Sequence, residues 1–227
     1  MASEPTTTSY AVLGLLAVKP WTTYELAQQM TRALGHFWPR AESNLYEEPK
    51  KLVALGLARA EPDKAGKRPR TLYSITPEGR RALAAWMSTP AAGPVLEFEQ
   101  LVRVFFAEYG SKADLLATIE GARKWTEERM SAVNVARGYL QGDGPFPERL
   151  PWLILTGRFL HEFEQAVGRW ADWAEEAVEA WPDDIRSAEP DWAVLENIVA
   201  ESDAYLRRAA ERRRTSTVPD EATAENR

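Results

Sequence analysis

A cluster of cations is the feature of this sequence whose residue types most directly indicate a chemistry. The cluster consists of Lys64, Lys67, Arg68 and Arg70. These side chains share one short turn with Gly66 and Pro69, residue types that interrupt regular structure. Because lysine and arginine neutralise phosphates and enter narrow minor grooves, the cluster predicts a contact with the backbone or minor groove of nucleic acid. The alternative is an exposed hairpin that has no partner.

Two strands and a helix are predicted to position this turn. The strands are short, rich in β-forming residues, and cover Leu57–Glu61 and Thr71–Thr76. Thr76 followed by Pro77 predicts a helix start, with threonine as the N-cap and proline at the first helical position. A hairpin with a basic tip beside helices is typical of a wing that lies on nucleic acid.

Three helices are predicted upstream of the hairpin, because apolar residues recur there at helical spacing. They run from a cap at Thr8 or Ser9 to about Val18, from a cap at Thr22 or Thr23 to Leu34, and from about Ala41 to Leu55. Three helices, a two-stranded wing and a linking helix make up the winged helix-turn-helix plan. The predicted fold class is therefore mainly α, with this N-terminal module followed by an all-helical C-terminal domain.

Polar residues at the starts of the second and third helices are predicted to contact DNA. The candidates are Thr22, Thr23 and Tyr24 on the second helix, and Arg40, Ser43, Asn44, Tyr46 and Lys50 around the third. Hydroxyls and free N–H groups at a helix start can bind phosphate, and polar side chains on a recognition helix can reach base edges. In the alternative interpretation the threonines, Ser43 or Asn44 only cap helices, and Tyr46 packs beneath the wing.

Charge is distributed unevenly along the 227 residues, whose total net charge is −6. Residues 1–90 hold 12 lysines and arginines against 8 aspartates and glutamates, a net charge of +4. Residues 91–227 hold 16 against 26, a net charge of −10. Attraction to phosphate acts over roughly a Debye length of ~8 Å, so a basic module can bind DNA while an acidic domain faces away.

The second half is predicted to be entirely helical. Four helices are predicted, at 98–110, 111–140, 151–180 and 192–212. The aromatic residues Trp125, Phe163, Trp170 and Trp173 are candidates for a ligand pocket or dimer interface. Because large rings dominate both core and interface packing, a purely structural role is the alternative. Residues 215–227 are polar and are predicted to be a disordered tail.

Several classes of function are disfavoured by what the sequence lacks. It has no cysteine, and its two histidines, His36 and His161, are far apart, so no metal or other cofactor is predicted. No Gly-rich phosphate loop or nucleophile elbow occurs, and an enzyme is not expected. No apolar run is long enough to cross a bilayer and the first residues do not form a secretory signal, so a cytoplasmic protein without membrane contact is expected.

Four segments resemble the PadR family of bacterial transcriptional regulators. They are TSYAVLGLLA, ELAQQM, SNLYEEPKKLVALGLARAE and RPRTLYSITPEGRRAL, with Tyr46, Gly56-Leu57 and Thr76-Pro77-Glu78-Gly79 as the most specific parts. The resemblance implies a homodimeric repressor that binds double-stranded operator DNA. It also implies that the C-terminal helices dimerise, often by wrapping around the other subunit's first helix, and that a small aromatic effector can alter DNA affinity.

One position departs from the family pattern. Members commonly have proline directly after the tyrosine of the third helix, whereas here Glu47 follows Tyr46 and proline comes at Pro49. Proline inside a helix leaves the carbonyl four residues earlier without its donor, so the third helix is either kinked near its middle or begins later. Glu42, Glu47 and Glu48 are also expected to repel phosphate, which favours the wing as the main source of DNA affinity.

The sequence thus predicts a DNA-binding domain at 1–90, a helical dimerisation and effector domain at 91–214, and the tail at 215–227. The predicted function is a sequence-specific transcriptional regulator, a homodimeric repressor relieved by a small aromatic ligand. The alternative is a winged-helix module for protein interaction or ligand binding that does not bind DNA, and the glutamates of the third helix are its main support.

Overall fold

Residues 4–63, 70–131 and 133–216 are described by a computed structural model. The predicted contacts Lys64, Lys67 and Arg68 lie outside these ranges, as does the predicted tail after residue 216. The described chain forms two compact units, one from residues within 1–97 and 133–164, the other from residues within 98–132 and 165–216. Each unit thus combines two separate stretches of chain, whereas the domains predicted from sequence are consecutive.

The first helix, α1 (Thr7–Val18), has its N-cap at least two residues before the expected one. The predicted caps, Thr8 and Ser9, are wrong, because Thr6 is the N-cap. The Thr6 side chain accepts a hydrogen bond from the Ser9 N–H, and the Ser9 hydroxyl accepts one from the Thr6 N–H. This reciprocal capping box satisfies two N–H groups that the helix leaves without partners.

The second helix, α2 (Thr23–Gln29), begins at the predicted Thr22 cap. The Thr22 hydroxyl accepts from the Glu25 N–H, and the Glu25 carboxylate accepts from both the Thr22 N–H and its hydroxyl. The helix continues as a π-helical turn over Met30–Leu34, which the sequence pattern had predicted as ordinary α-helix. The segment still ends before Gly35, as expected.

The third helix, α3 (Glu42–Ala54), contains Pro49 within its span. The predicted alternative that this helix begins later because of Pro49 is therefore wrong. Pro49 is fully buried with Leu45 and Leu52, so the ring contributes apolar packing at a point where the Leu45 carbonyl loses its helical donor. Gly56 follows the helix with φ +72°, a left-handed conformation that favours glycine.

The predicted wing is confirmed as the hairpin of β2 (Ala58–Asp63) and β3 (Arg70–Ile75). A third strand, β1 (Trp21–Thr22), pairs antiparallel with the other edge of β3, so the sheet order is β1-β3-β2. The sequence did not predict β1, because two residues are too few to show an alternating pattern. This strand ties the start of α2 directly to the wing.

The linking helix, α4 (Pro77–Met87), begins as predicted, with Thr76 as N-cap. The Thr76 hydroxyl donates to the Gly56 carbonyl and accepts from the Gly79 N–H, so it also holds the turn after α3. A Cβ on Gly79 would lie 2.1 Å from the Leu57 carbonyl oxygen, which is why only glycine fits there. Near the other end of α4, Trp86 stacks on Tyr10 of α1, with the ring centroids 4.9 Å apart.

The remaining chain contains five further α-helices among the residues that the structure describes. They are α5 (Glu99–Phe105), α6 (Lys112–Ser131), α7 (Asn134–Leu140), α8 (Leu150–Glu179) and α9 (Trp192–Ser216). The single helix predicted over 111–140 is wrong, since α6 ends at Ser131 and α7 begins at Asn134. Helix α9 also runs through Thr215 and Ser216, which had been assigned to the tail.

Within the second unit, Arg123 of α6 joins that helix to α8. Its guanidinium donates to Asp172 at 3.1 Å, to Glu120 at 2.6 Å and to Glu175. Lys112 at the start of α6 donates to the carbonyls of Glu179 and Trp181, at the end of α8. A cation beside unpaired carbonyls at a helix end is favourable, so the two helices are tied at two points. No helix in the described ranges has the length and apolar character needed to cross a membrane.

Candidate nucleic-acid interface

Helix α3 has one face in the core and one in solvent. Leu45, Pro49 and Leu52 are buried, at a spacing of four and then three residues. Glu47 and Lys50 lie on the opposite side, because each residue advances about 100° around a helix. Their side chains are 71% and 61% exposed and form an ion pair with Nζ and Oε1 2.7 Å apart. The outward face of α3 thus presents charged groups that a groove could meet.

Glu48, unlike Glu47, is half-buried and bonded to α1. The hydroxyl of Ser9, a fully buried residue of α1, donates to the Glu48 carboxylate at 2.7 Å. The expectation that Glu48 repels phosphate therefore loses force, since this carboxylate fixes α3 against the first turn of α1. Sequence reasoning missed this pair because the two residues are 39 positions apart and neither type is unusual at a helix surface.

Arg40, a predicted DNA contact, is held by neighbours just before α3. Its Nε donates to the Thr8 hydroxyl at 3.3 Å, and its Nη1 donates to the Pro39 carbonyl at 2.6 Å. The guanidinium also lies 4.1 Å from the ring centroid of Trp38, whose indole N–H donates to Thr8 as well. The Arg40 side chain remains exposed, so these contacts orient its charge without burying it.

The predicted contacts at the start of α2 fall into two groups. Thr22 is buried, and its hydroxyl is used in the cap with Glu25. Tyr24 is exposed, and its hydroxyl accepts from the Gln28 amide at 2.8 Å, which directs the ring along the outer side of α2. Thr23 lies between them and is half-buried.

The cap between Thr22 and Glu25 also lowers the pKa of the Glu25 carboxyl. The Thr22 N–H, aided by the Thr22 hydroxyl and by the positive charges of Lys19 and Arg70, holds the pKa of the Glu25 carboxyl below its ordinary value. The carboxylate therefore stays ionised and the α2 start stays capped at neutral pH. Strand β1 pairs Thr22 with Leu72 of β3, so the start of α2 lies beside the wing.

The two strands of the wing are described up to the residues that border its tip. Arg70 is exposed at the first position of β3, opposite Asp63. Further along the hairpin, Arg59 donates to the Ser74 hydroxyl at 2.9 Å and pairs with Glu61 at 3.2 Å. In the sequence, Lys64, Lys67 and Arg68 fall between Asp63 and Arg70. Their contact with DNA remains a prediction.

The other α3 candidates occupy its first turns. Ser43 and Asn44 belong to the first turn of the helix, and their side chains lie outside the described part of the chain. Tyr46 is half-buried and packs against the N-terminal core. Base contact by these residues remains a prediction.

The four aromatic candidates of the second half are described by their individual surroundings. Trp170 makes an edge-to-face contact with Phe98, with centroids 6.1 Å apart, and Arg129 lies 5.7 Å from the Trp125 ring. Trp173 is 48% exposed, and Phe163 belongs to the other unit. A groove of about 730 Å³ does lie between α5 and α6, but none of the four is among its lining residues. Their role in a pocket or interface remains a prediction.

Acidic and imidazole groups were compared across the described ranges as candidate metal ligands. No three such side chains come together there in a way that could hold a metal ion. The arrangement offers polar and charged surface at α2, α3 and the wing, which can bind a polyanion or another polar partner.

Comparison with known proteins is consistent with that surface. Residues 12–85 match the transcriptional regulator PadR-like family, and residues 99–179 match the virulence activator alpha C-terminal family. A probable transcriptional regulator of Mycobacterium tuberculosis is 26% identical over 190 residues, which cover 79% of this chain and 95% of the relative. The negative transcriptional regulator PadR of Bacillus subtilis is 32% identical over 79 residues, 34% of this chain and 43% of PadR.

Solved structures share the fold. Bacillus subtilis PadR in complex with operator DNA aligns with a TM-score of 0.64 at 21% identity, over 76% of this chain and 99% of that one. The same regulator in complex with p-coumaric acid aligns with a TM-score of 0.59 at 21% identity, over 77% and 99%. With the winged helix and both family matches on one chain, the resemblance read from the sequence is confirmed, and the chain belongs to the PadR-like family of transcriptional regulators.

Proposed function

We propose that this protein is a homodimeric repressor that binds operator DNA in a sequence-specific manner. The observation that carries the proposal is the two-sided character of α3. One side is anchored by Leu45, Pro49 and Leu52, while the other presents exposed polar groups. A helix held in this way can enter a major groove without moving relative to its module, which is what base reading requires.

The wing supplies affinity that does not depend on sequence. Arg70 at the start of β3 is exposed, and Lys64, Lys67 and Arg68 add three cations just before it in the sequence. Each phosphate that such cations neutralise releases counterions, so binding weakens steeply as salt increases. The hairpin therefore contacts the backbone or minor groove that flanks the bases read by α3.

A second copy of the chain covers the apolar side of α9. Trp192, Leu195, Val199 and Leu206 recur there at spacings of three, four and seven residues, and all are exposed in the single chain. Stripes of this size are rare on monomeric proteins and are typical of helix–helix interfaces. Two copies joined in this way carry two reading helices, which suits half-sites about one DNA turn apart.

A small aromatic ligand relieves repression in this proposal. A ligand can act in this way only if it binds the dimer arrangement that releases DNA more tightly than the one that holds it. The solved complex of Bacillus subtilis PadR with p-coumaric acid supports this class of ligand. Among the aromatic candidates, Trp173 is exposed and can report binding through its fluorescence.

Fluorescence anisotropy with labelled DNA from upstream of the protein's own gene tests the proposal. We expect binding at low salt and a steep decline with increasing salt. Replacing Lys67 and Arg68 by glutamine should weaken binding to all duplexes. The slope of the logarithm of the binding constant against the logarithm of the salt concentration should fall by the amount expected for about two phosphate contacts. Neutralising Arg80 and Arg81 of α4 removes the same charge away from the wing and should leave the slope almost unchanged.

A dimeric protein that binds no duplex at low salt would favour the alternative, a winged-helix module that does not act on DNA. A salt slope that is unchanged by K67Q/R68Q would remove the wing from the interface. A monomer at micromolar concentration would contradict the role of α9.

A further inference from the structure

The ion pair on the outward face of α3 places a carboxylate where a recognition helix meets bases. Glu47 is the sixth residue of α3, on the side opposite Leu45 and Leu52. Residues in the first turns of a recognition helix are those that reach base edges. If α3 enters the major groove, as the proposed function requires, Glu47 must enter with it.

A carboxylate in a major groove is tolerated beside few groups. It can only accept hydrogen bonds, and in the groove it is repelled by the acceptor atoms of guanine and by the O4 atom of thymine. The donors available there are the amino groups of cytosine and adenine. Adenine carries the acceptor N7 next to its amino group. A carboxylate bonded to that amino group would bring its second oxygen close to N7, and the two acceptors would repel each other. Cytosine presents its amino donor without a neighbouring acceptor on the same base.

We infer that Glu47 is a specificity-determining residue that selects cytosine in each half-site by accepting from its amino group. The inference rests on the proposed function, because it needs α3 in the groove. It gives Glu47 a role opposite to general repulsion of DNA. Repulsion from acceptor-bearing bases then contributes to selectivity as much as attraction to cytosine does.

Lys50 makes this placement electrostatically tolerable. Its ammonium group lies 2.7 Å from the Glu47 carboxylate, one helical turn further along the same face. The pair brings no net charge into the groove, and contact with Lys50 limits the positions that the Glu47 carboxylate can take. An exposed pair of this kind contributes little to stability, so its removal leaves the fold intact and its effect can be measured on binding.

Selection from a random-sequence duplex library tests the inference. The full-length wild-type protein should enrich a motif with one cytosine in each half-site. The preference for that cytosine should depend on Glu47. Glu47→Gln should change that preference from cytosine to adenine, because an amide can bond both the adenine amino group and N7. Glu47→Ala should leave the position without preference, and the affinity ratio between the cytosine duplex and its single-base variants should fall about tenfold.

Glu78→Gln is the matched control, since Glu78 forms a similarly exposed pair with Arg81, at 2.5 Å, on α4. This variant should select the wild-type motif. If E47Q and E47A also select the wild-type motif, and differ only by a uniform change in affinity, Glu47 reads no base and the inference is overturned while the proposed function stands. If wild type enriches no motif at all, the proposed function fails, and the inference falls with it.

Discussion

The first three helices of this chain bury their apolar side chains, whereas the last helix leaves an apolar stripe exposed. In α1 and α3, Leu13, Leu16 and Leu52 are buried by contacts within the chain. In α9, Trp192 is 65% exposed and Leu206 is 59% exposed, although both lie on a regular apolar stripe. The winged-helix module therefore completes its own core, whereas α9 leaves its apolar stripe exposed within the described chain, where the proposed dimer would bury it.

Polar groups show the same contrast. In the module, the Ser9–Glu48 bond and the Thr22–Glu25 cap satisfy buried groups and fix helices against each other. On α9, the acidic and basic side chains surround the apolar stripe and are exposed. We expect the module to unfold as a cooperative unit, and the last helix to gain its stability from assembly.

The largest effect is expected from charges placed on the α9 stripe. Val199→Asp combined with Leu206→Asp would put two carboxylates into the dimer interface, and each buried unpaired carboxylate costs several kcal/mol. The dissociation constant should rise roughly 100-fold or more. Sedimentation velocity over a concentration series measures it.

Asn197→Asp is the control for this pair, because residue 197 lies on the opposite side of α9. It adds the same charge outside the stripe and should leave the dimer intact. If V199D/L206D sediments as wild type does, the interface does not include this face.

A cavity in the module should reduce stability without changing assembly. Leu52 is completely buried on α3, and Leu52→Ala should lower the free energy of unfolding by about 2–5 kcal/mol. Urea denaturation followed by tryptophan fluorescence measures this change. Leu140→Ala, at a position exposed on α7, should cost less than about 0.5 kcal/mol.

The contrast between the module's own core and the exposed face of α9 would be contradicted if L52A changed the oligomeric state as strongly as it changes stability. Sedimentation of L52A at a temperature where it is folded should therefore give the wild-type dimer. A monomer would show that the module's core and the interface are one cooperative structure.

Local signals in the sequence account for most of the module. Thr76-Pro77 gave the start of α4, and Gly56 gave the end of α3, because a cap and a left-handed glycine act within a few residues. Strand β1 was missed since its two residues form a strand only by pairing with β3, about 50 positions away. The Ser9–Glu48 bond was missed for the same reason.

The C-terminal half was harder to predict in detail. The interruption between α6 and α7 has no proline or glycine to mark it, so apolar periodicity continued through residues 111–140. The exposed face of α9 had the right spacing for a helix, but spacing alone does not show whether a face is buried by its own chain or by a partner. For the site, residue types indicated the α2, α3 and wing surface, while the pairing of Glu47 with Lys50 required coordinates.

An intermediate effect is expected where α6 meets α8. Arg123→Met removes one guanidinium and leaves Glu120, Asp172 and Glu175 close together without it. The loss of these charge-assisted hydrogen bonds should lower stability by about 1–2 kcal/mol, and the loss should be smaller at high salt, where carboxylate repulsion is screened.

Arg103→Met is the matched control for Arg123, since Arg103 pairs with Glu99 one turn away on exposed α5. It should cost at most about 0.5 kcal/mol. Thermal denaturation at low and high salt measures both variants. Equal effects from the two substitutions would show that the Arg123 cluster does not hold α6 to α8.

The smallest effect concerns the pH dependence of the α2 cap. The pKa of Glu25 is lowered in the folded protein, chiefly by the Thr22 N–H, so the carboxylate stabilises the fold at pH values above the ordinary glutamate pKa. This contribution should be lost as the pH falls below about 4.3, through the folded-state pKa. Glu25→Gln should therefore be less stable than wild type at neutral pH, and the difference should disappear in acid.

Urea midpoints of wild type and E25Q, measured from neutral pH down to about pH 3, test whether their difference in stability disappears in acid. Glu97→Gln, at an exposed position outside the helices, should follow the wild-type curve. A gap between wild type and E25Q that stays constant with pH would mean that the Glu25 carboxylate is not what stabilises the α2 start. Because strand β1 ends at Thr22 and pairs with β3, loss of this cap should also loosen the attachment of the wing strand β3, and E25Q should then bind DNA slightly more weakly at neutral pH.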